Sequence, residues 1–177
     1  VRITVTLSYN LAELGRTAEA IELLDQAADI ADPEHVPALR ASRGLIYARV
    51  GDAPRAMADL DAAIAGLTGG DQEDLARTLL NRGLLHMTAG DLLAAQSDTS
   101  RASAIAHAAG ADVVVFMARY NLGYLRFLAG DLPGSLQAMA DAEELAPAAA
   151  LGVPALDRAR VLLAAGLLGE AGEYIDA

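Results

Sequence analysis

The sequence predicts an all-α fold built from a repeated helix–turn–helix unit, and three observations support this. A glycine turn recurs five times, at Gly15, Gly51, Gly90, Gly130 and Gly166. Subtracting these residue numbers gives intervals of 36, 39, 40 and 36 residues, a period typical of helical repeat arrays. The 54% hydrophobic content comes mostly from Ala and Leu, with only 4% aromatic residues, which favours helices over strands. We therefore expect a right-handed α–α superhelix, a solenoid of about 4.5 to 5 repeats.

In the first repeat, two amphipathic helices are predicted on either side of Gly15, at 2–14 and 18–31. Leu7, Leu11 and Leu14 recur at the i, i+4, i+7 spacing of one helix face. Gly15 ends the first helix because glycine adopts the left-handed conformation without a Cβ clash. Pro33 closes the repeat, since Pro cannot extend a preceding helix.

The four later repeats follow the same plan. Their helices are predicted at 37–50 with 54–67, 72–89 with 92–109, 113–129 with 132–146, and 155–165 with 168–177. Asp52 is expected to cap the second helix of its repeat, and Pro147 to end the fourth repeat. The repeats therefore span about 1–33, 37–67, 72–109, 113–147 and 155–177. We expect one solenoid domain, cut from a longer protein because Val1 is not an initiator Met and the repeat is already in phase there.

Composition limits the partners and the setting. The chain has 24 acidic and 13 basic residues and a net charge of -11, which repels phosphate backbones and argues against nucleic acid as a partner. Cys is absent, which excludes disulfides and thiolate sites and fits a reducing cytoplasm. No apolar run reaches the roughly 18 residues of a membrane span. We therefore expect a cytoplasmic protein that does not bind membranes, and the use of Arg without Lys indicates a high-GC bacterial genome.

No catalytic or metal-binding arrangement is visible in the sequence. His35, His86 and His107 lack metal-ligand spacing, and His86 occupies a predicted core position. The glycine-rich stretch 69–71 lacks the Gly-Lys-Ser/Thr ending of a phosphate loop. Because no Ser has a His and an acid in a suitable context, nucleophilic catalysis has no candidate. We therefore expect neither an enzyme nor a cofactor or metal site.

The residues around each turn resemble the tetratricopeptide repeat (TPR) family, whose signature places Leu-Gly before an aromatic in the first helix and Ala before an aromatic in the second. The first-helix places hold Leu7 and Ser8 with Leu11, Gly44 with Tyr47, Gly83 with His86, and Leu122 and Gly123 with Arg126. The second-helix places hold Ala20 with Leu24, Ala56 with Leu60, Ala95 with Thr99, and Ser135 with Met139. The chain departs from the family in three ways: it has no Trp, its period is longer, and the polar Thr99 stands where the family usually has an aromatic.

Comparison of the repeats with one another predicts two ion pairs. Arg43 and Asp59 occur where the first repeat has Leu7 and Leu23. Arg82 and Asp98 occur at the same spacing in the third repeat. A partly buried Arg needs such a partner, since an unpaired charge out of water costs several kcal/mol. We therefore expect Arg43–Asp59 and Arg82–Asp98 to pair across their helix hairpins.

The resemblance also implies a binding surface, because the first helices of TPR arrays line the concave face. Most Arg residues lie on predicted first helices and most helix-interior acids on second helices, which implies a basic inner groove. Asn81 and Asn121 match the Asn with which family members bind a ligand backbone, and Tyr120, Tyr124 and Phe127 share one helix face as an anchor stripe. The candidate groove residues are Tyr9, Arg40, Leu45, Arg77, Asn81, Leu84, Arg119, Tyr120, Asn121, Tyr124 and Phe127.

We therefore expect a non-enzymatic scaffold that binds a protein or peptide, apolar with acidic character, in this groove. One alternative is a regulatory or sensor arm, because two stretches are similar to arrays fused to CHAT peptidase domains or LuxR-type regulators, LPGSLQAMADAEELAP and ALDRARVLLAAGLLGEA. A domain of the same parent chain would then be the partner. Another alternative is a homodimer through apolar faces of the terminal repeats, formed by Val1, Ile3, Leu167, Leu168 and Ile175.

Overall fold

The computed structural model describes residues 1–144 and 155–175, and its regular secondary structure in those ranges is α-helical throughout. The ten helices of the described residues are α1 (Arg2–Glu13), α2 (Thr17–Ile30), α3 (Val36–Arg49), α4 (Ala53–Leu67), α5 (Gln72–Thr88), α6 (Leu92–Ala109), α7 (Asp112–Leu128), α8 (Leu132–Glu143), α9 (Ala155–Ala164) and α10 (Leu168–Ile175). The all-α prediction is confirmed, and α1 to α7 begin and end within one residue of their predicted bounds. The predicted stop at Pro147, the connection 148–154 and residues 176–177 lie outside the described residues.

The chain divides into two compact units, Val1–Leu85 and His86–Ala177. In the first unit α1 packs on α2 and α3, α2 packs on α3, and α3 packs on α4. In the second unit α7 packs on α6, α8 and α9, and α9 also packs on α8 and α10. Four hairpins therefore pack both within themselves and against a neighbouring helix, as expected of a repeat array, namely α1–α2, α3–α4, α7–α8 and α9–α10. That the whole chain forms one solenoid domain stays a prediction.

The five glycine turns close in the same way. Gly15, Gly51, Gly90, Gly130 and Gly166 all have positive φ, between 75 and 87°, a region that glycine enters without a Cβ clash. The residue after each glycine donates its N–H to the carbonyl five residues earlier at 2.9 to 3.0 Å, as Arg16 does to Leu11. This is the bonding pattern of a Schellman motif, which satisfies carbonyls at a helix end. The prediction that these glycines terminate the first helices is confirmed.

An aspartate follows three of these glycines and caps the next helix. The carboxylates of Asp52, Asp91 and Asp131 accept a hydrogen bond from the backbone N–H three residues later, at 3.2, 3.1 and 3.0 Å. Such a bond satisfies one of the free amides at a helix N-terminus and typically stabilises the helix by about 1 kcal/mol. The cap predicted at Asp52 is confirmed, and the structure shows the same cap in two further repeats.

The small residue five places after each glycine is where the two helices of a hairpin meet. Every one of these residues has no exposed surface, namely Ala20, Ala56, Ala95, Ser135 and Ala171. Leu24, Leu60, Thr99 and Met139, each four residues further on, are also fully buried. The hydroxyl of Thr99 donates to the Ala95 carbonyl at 2.7 Å. A polar side chain is therefore tolerated at this buried place because its own helix satisfies it.

Candidate functional site

A groove of about 940 Å³ opens in the first unit between α1, α3 and α5, together with the loops that precede α3 and α5. We call it the α1–α3–α5 groove. Of the eleven candidate residues, Leu45, Arg77 and Asn81 line it. Tyr9, Arg40 and Leu84 belong to the same unit but lie outside the groove, and all three are exposed. The structure therefore brings together the central members of the predicted set in this unit and separates the rest.

The lining of the groove has an apolar part, which we call its floor and which contains Val5, Ala41 and Leu45. Two hydroxyls in its lining are engaged by their own helices: Ser42 donates to the Ala38 carbonyl at 2.9 Å, and Thr78 to the Asp74 carbonyl at 2.7 Å. The carboxamide of the half-buried Asn81 makes no hydrogen bond within residues 1–144 and 155–175. An amide can donate and accept at the same time, so Asn81 is the polar group available to a ligand backbone.

The charges of the lining differ from those expected. Six charged side chains line the groove, with His35 beside them: Arg2, Glu34, Asp71, Glu73, Asp74 and Arg77. Four carboxylates thus face two guanidinium groups, and Arg77 is bonded through Nε to Glu73 Oε1 at 3.1 Å. The expectation of a basic inner groove is therefore wrong for this groove. The acids were missed because two of them lie in loops, and counting charge by helix ignores loops.

Asp74 is the half-buried member of this acidic group. Burial raises the pKa of its carboxyl, the charges of Asp71 and Glu73 raise it further, and Arg77 and Arg2 oppose the shift. Asp71 itself accepts the backbone N–H of Asp74 at 3.0 Å and so caps α5. In the described part of the chain no ion pair engages the Asp74 carboxylate. The groove therefore holds a partly desolvated carboxylate that forms no salt bridge with the described residues and whose burial outweighs the attraction of Arg77 and Arg2.

The arginines of the first unit are mostly held by acids of the same unit. Six of them form ion pairs: Arg16 with Glu19, Arg43 with Asp25 and Asp59, Arg49 with Glu13, Arg55 with Asp52, Arg77 with Glu73, and Arg82 with Asp61. Charge that is already neutralised by a neighbour attracts a ligand less strongly. The Arg-bearing helices thus do not make this unit a site for anions.

The ion pair predicted between Arg43 and Asp59 is confirmed. Arg43 donates through Nε and Nη2 to the two Asp59 oxygens at 2.8 and 2.6 Å, the bidentate geometry that strengthens such pairs. Arg43 also donates to Asp25 on α2, a partner that the sequence comparison missed. The side chains of Arg43 and Asp59 are 25% and 11% exposed. The group therefore joins α2, α3 and α4, while the Arg82–Asp98 pair stays a prediction.

Tyr9 serves as a platform for an arginine. The guanidinium carbon of Arg49 lies 4.6 Å from the centre of the Tyr9 ring, and Nη2 donates to the Tyr9 hydroxyl at 2.9 Å. Arg49 also bonds Glu13 and lowers the pKa of that carboxyl. One cation thus links α1 to α3, and part of the Tyr9 ring face is already covered.

In the second unit the anchor stripe is corrected at Tyr120. This side chain is 3% exposed and belongs to a core cluster with Phe116, Met139, Ala142 and Val161. It is buried because α9, which carries Val161, packs on α7 and α8, so a partner cannot reach it in this structure. Tyr124 and Phe127 are partly buried against the same cluster, with ring centres 5.6 Å apart. Arg119 is exposed and Asn121 half-buried.

The titratable groups of the described residues do not gather into a metal site. Within residues 1–144 and 155–175, no group of three or more His, Asp or Glu side chains has the arrangement to hold a metal ion. His86 is half-buried, and its Nε2 lies 3.9 Å from Asp98 Oδ2. Among the described helices none has the length and apolar character needed to cross a membrane.

Comparison with solved structures identifies the fold as TPR-like. The chain is similar to a variant of a Podosopora anserina protein described as a kinesin light chain with nearly identical TPR-like repeats, at a TM-score of 0.73 and 18% identity, over 99% of this chain and 91% of that chain. It is similar to BtubC (BKLC) from P. vanneervenii, with a TM-score of 0.71 and 16% sequence identity, over 97% of this chain and 74% of that chain. It is also similar to the MamA RS-1 ArsTM double mutant, with a TM-score of 0.64 and 18% sequence identity, over 99% of this chain and 90% of that chain.

No protein-family model and no curated protein sequence matches the chain significantly. The similarity to solved structures confirms, at the level of the fold, the resemblance to TPR repeats seen in the sequence.

Proposed function

We propose that this chain is a non-enzymatic protein-interaction scaffold that binds a segment of a partner in the α1–α3–α5 groove. The observation that carries the proposal is the groove itself, about 940 Å³ in volume, within the size range of ligand sites in proteins. TPR-like repeats are typically scaffolds for protein partners, and the groove offers an apolar floor with few polar groups, the combination that recognises a peptide.

The groove residues suggest how a segment is held. Apolar side chains of the partner would cover Val5, Ala41 and Leu45, where each Å² removed from water contributes roughly 25 cal/mol. Asn81 would donate to and accept from the backbone of the segment. Because the Asn81 carboxamide makes no hydrogen bond to any described residue, a bound backbone would replace only water there.

Blocking the floor of the groove tests this proposal. Selection from a displayed peptide library against the wild-type chain supplies binding sequences, whose affinities are then measured for two variants. Ala41→Trp places a large ring on the groove floor, while Ala104→Trp places the same ring at an exposed position of α6. We expect the first variant to lose peptide binding and the second to retain it, with both keeping the circular dichroism of the wild type. Equal binding by the two variants would show that the peptides bind elsewhere.

Self-association is a second candidate, favoured by exposed apolar side chains. Ile3 is 84% exposed on α1, Leu168 is 69% exposed on α10, and Val1 and Leu167 are also exposed. The side chain of Ile175, expected in the same set, lies outside the described residues. Exposed aliphatic groups on terminal repeats favour contact with another apolar surface. Sedimentation velocity at two protein concentrations tests this, and a monomer at both concentrations argues against a dimer.

A regulatory arm beside a CHAT peptidase or LuxR-type domain, with a domain of the same chain as partner, remains an alternative proposal. So does a bacterial cytoplasmic setting. The sequence of the full-length gene tests both, since a neighbouring domain of either kind is recognisable from its own motifs.

A further inference from the structure

The α1–α3–α5 groove has an apolar floor and a rim on which carboxylates outnumber cations. One carboxylate, Glu34, precedes α3, and three others lie at the start of α5. Acids in the first turn of a helix are common, because they interact favourably with the helix dipole. Their presence alone therefore does not identify a ligand, whereas the cations and apolar side chains that share the groove with them bear on its chemistry.

The cations of the groove are already committed or outnumbered. Arg77 is bonded to Glu73, so these two charges largely cancel. The remaining charged side chains of the lining are three carboxylates, Glu34, Asp71 and Asp74, and one guanidinium, that of Arg2. Of these acids, Asp71 uses one oxygen to cap α5. Asp74 is half-buried and makes no ion pair within the described residues.

Arg77 and Arg2 attract the Asp74 carboxylate, but burial outweighs them, so its charged form is destabilised relative to one in water. A cation brought by a ligand would compensate that loss, whereas a second carboxylate would add repulsion at the same place. A purely ionic ligand such as a free cation would leave the apolar floor beside these charges uncovered. Charge and shape together thus favour a segment with both aliphatic and cationic side chains.

We propose that the α1–α3–α5 groove binds a partner segment in which aliphatic residues alternate with Lys or Arg, the cation being placed against Asp74. This inference rests on the proposed function and replaces the acidic segment expected from the sequence. The aliphatic side chains cover Ala41 and Leu45, and the Lys or Arg side chain spans from the floor to the acidic rim with its apolar stem against the floor.

Three amidated peptides of one length test the charge preference: Leu alternating with Lys, with Gln, or with Glu. Affinities are measured by fluorescence anisotropy at low and high salt. We expect the Lys peptide to bind most tightly and the Glu peptide most weakly, with the difference shrinking at high salt because salt screens exposed charges. A Glu peptide that binds as tightly as the Lys peptide overturns the inference.

Two matched variants assign the preference to the groove. Asp74→Asn removes the half-buried charge and keeps the shape, while Asp29→Asn makes the same change at an exposed position of α2 outside the groove. We expect Asp74→Asn to weaken the Lys peptide about three- to tenfold, to leave the Gln peptide unchanged, and Asp29→Asn to affect neither. Equal effects of the two variants on the Lys peptide overturn the inference.

The Ala41→Trp variant separates failure of the inference from failure of the proposed function. If the Glu peptide is preferred and Ala41→Trp blocks it, the groove binds segments and only the charge assignment is wrong. If Ala41→Trp leaves the affinity of every peptide unchanged, the groove is not the binding site and both proposals fail.

Discussion

Two helix hairpins of the chain share a backbone plan and differ in the chemistry between their helices. In α3–α4, within the first unit, Arg43 and Asp59 form a bidentate ion pair across the hairpin. In α7–α8, within the second unit, Leu122 and Ala138 occupy the corresponding places. Both hairpins turn at a glycine with positive φ. A charged pair and an apolar pair thus occur at one position of the same fold.

What the two hairpins have in common is a close approach at the next residue. A Cβ on Gly44 would lie 3.1 Å from Leu60 Cγ and 3.2 Å from the Ala56 carbonyl oxygen. A Cβ on Gly123 would lie 2.9 Å from Met139 Cγ and 3.2 Å from its backbone N. In both hairpins the absence of a Cβ at the glycine therefore permits the close approach of the facing helix. The neighbouring position is free to carry charge provided that the charge is paired.

The largest expected effect comes from truncating the core residue of each hairpin. Leu60→Ala and Met139→Ala each remove a side chain with no exposed surface and should lower the free energy of unfolding by about 2 to 5 kcal/mol. Urea unfolding followed by circular dichroism measures this. If the free energy of unfolding falls by less than about 1 kcal/mol in one hairpin only, the two hairpins share a backbone arrangement but not the tightness of core packing.

The next effect is that of the ion pair. A double-mutant cycle on Arg43→Ala and Asp59→Ala should give a coupling energy of about 1 to 2 kcal/mol, since the pair is bidentate and partly buried. The double substitution Arg43→Leu with Asp59→Ala gives α3–α4 the Leu and Ala that α7–α8 has at these places. It should recover most of the stability lost by Asp59→Ala alone. A coupling energy near zero would contradict the structural role of the pair.

Filling the close approach should have a smaller effect. Gly44→Ala and Gly123→Ala force a methyl group against the facing helix, and overpacking outweighs the gain in helix propensity, leaving a net loss of about 1 kcal/mol. Gly172→Ala in α10 is the control, because a Cβ there meets nothing within 4 Å. It should be neutral or stabilising. Thermal unfolding that ranks all three variants alike would contradict the close-approach argument.

A buried hydroxyl provides a test in which the substitution should raise, and not lower, the free energy of unfolding. Ser135 in α8 is fully buried, and its Oγ has no hydrogen-bond partner among residues 1–144 and 155–175, whereas α4 carries Ala56 at that place. Ser135→Ala should therefore raise stability by up to about 1 kcal/mol, because an unsatisfied polar group is removed. The control is Ser8→Ala, which loses a bond to the Val5 carbonyl at 2.8 Å and should not be stabilised.

The smallest effect is expected at Asp74, and it depends on pH. Burial raises the folded-state pKa of Asp74 above its unfolded value, so the folded state binds this proton more tightly. The group therefore favours folding most below the unfolded pKa, and this contribution is lost as pH rises through the folded pKa. Asp74→Asn should gain stability relative to the wild type at neutral pH and lose that gain in acid. Asp59→Asn, which breaks a pair, should show no such gain.

Much of the fold was predictable because it depends on residues that recur at fixed spacing. The glycine turns, the helix bounds and the Arg43–Asp59 pair all follow from comparing one repeat with the next. Asp25 was missed because it reaches Arg43 from a preceding hairpin, outside the spacing compared. The burial of Tyr120 likewise depends on α9, an element that helix periodicity in α7 does not reveal.

The charge of the candidate groove could not be predicted for a related reason. Assigning Arg to first helices gives the number of cations but not which acids reach them, and Arg49 and Arg77 are both neutralised by acids of their own unit. The apolar and amide members, Leu45 and Asn81, were predicted because their position depends only on helix register. The sequence thus indicated the position of the candidate groove, but it did not indicate the charge of the groove or of the ligand that the groove favours.

Amide chemical-shift mapping with the alternating Leu–Lys peptide tests most directly the claim that a partner segment binds the α1–α3–α5 groove. The account predicts perturbed amides at Ala41, Leu45 and Asn81, with the shifts lost in Ala41→Trp. Perturbations confined to α7 around Tyr124 and Phe127, with the amides of α3 and α5 unchanged, would contradict it.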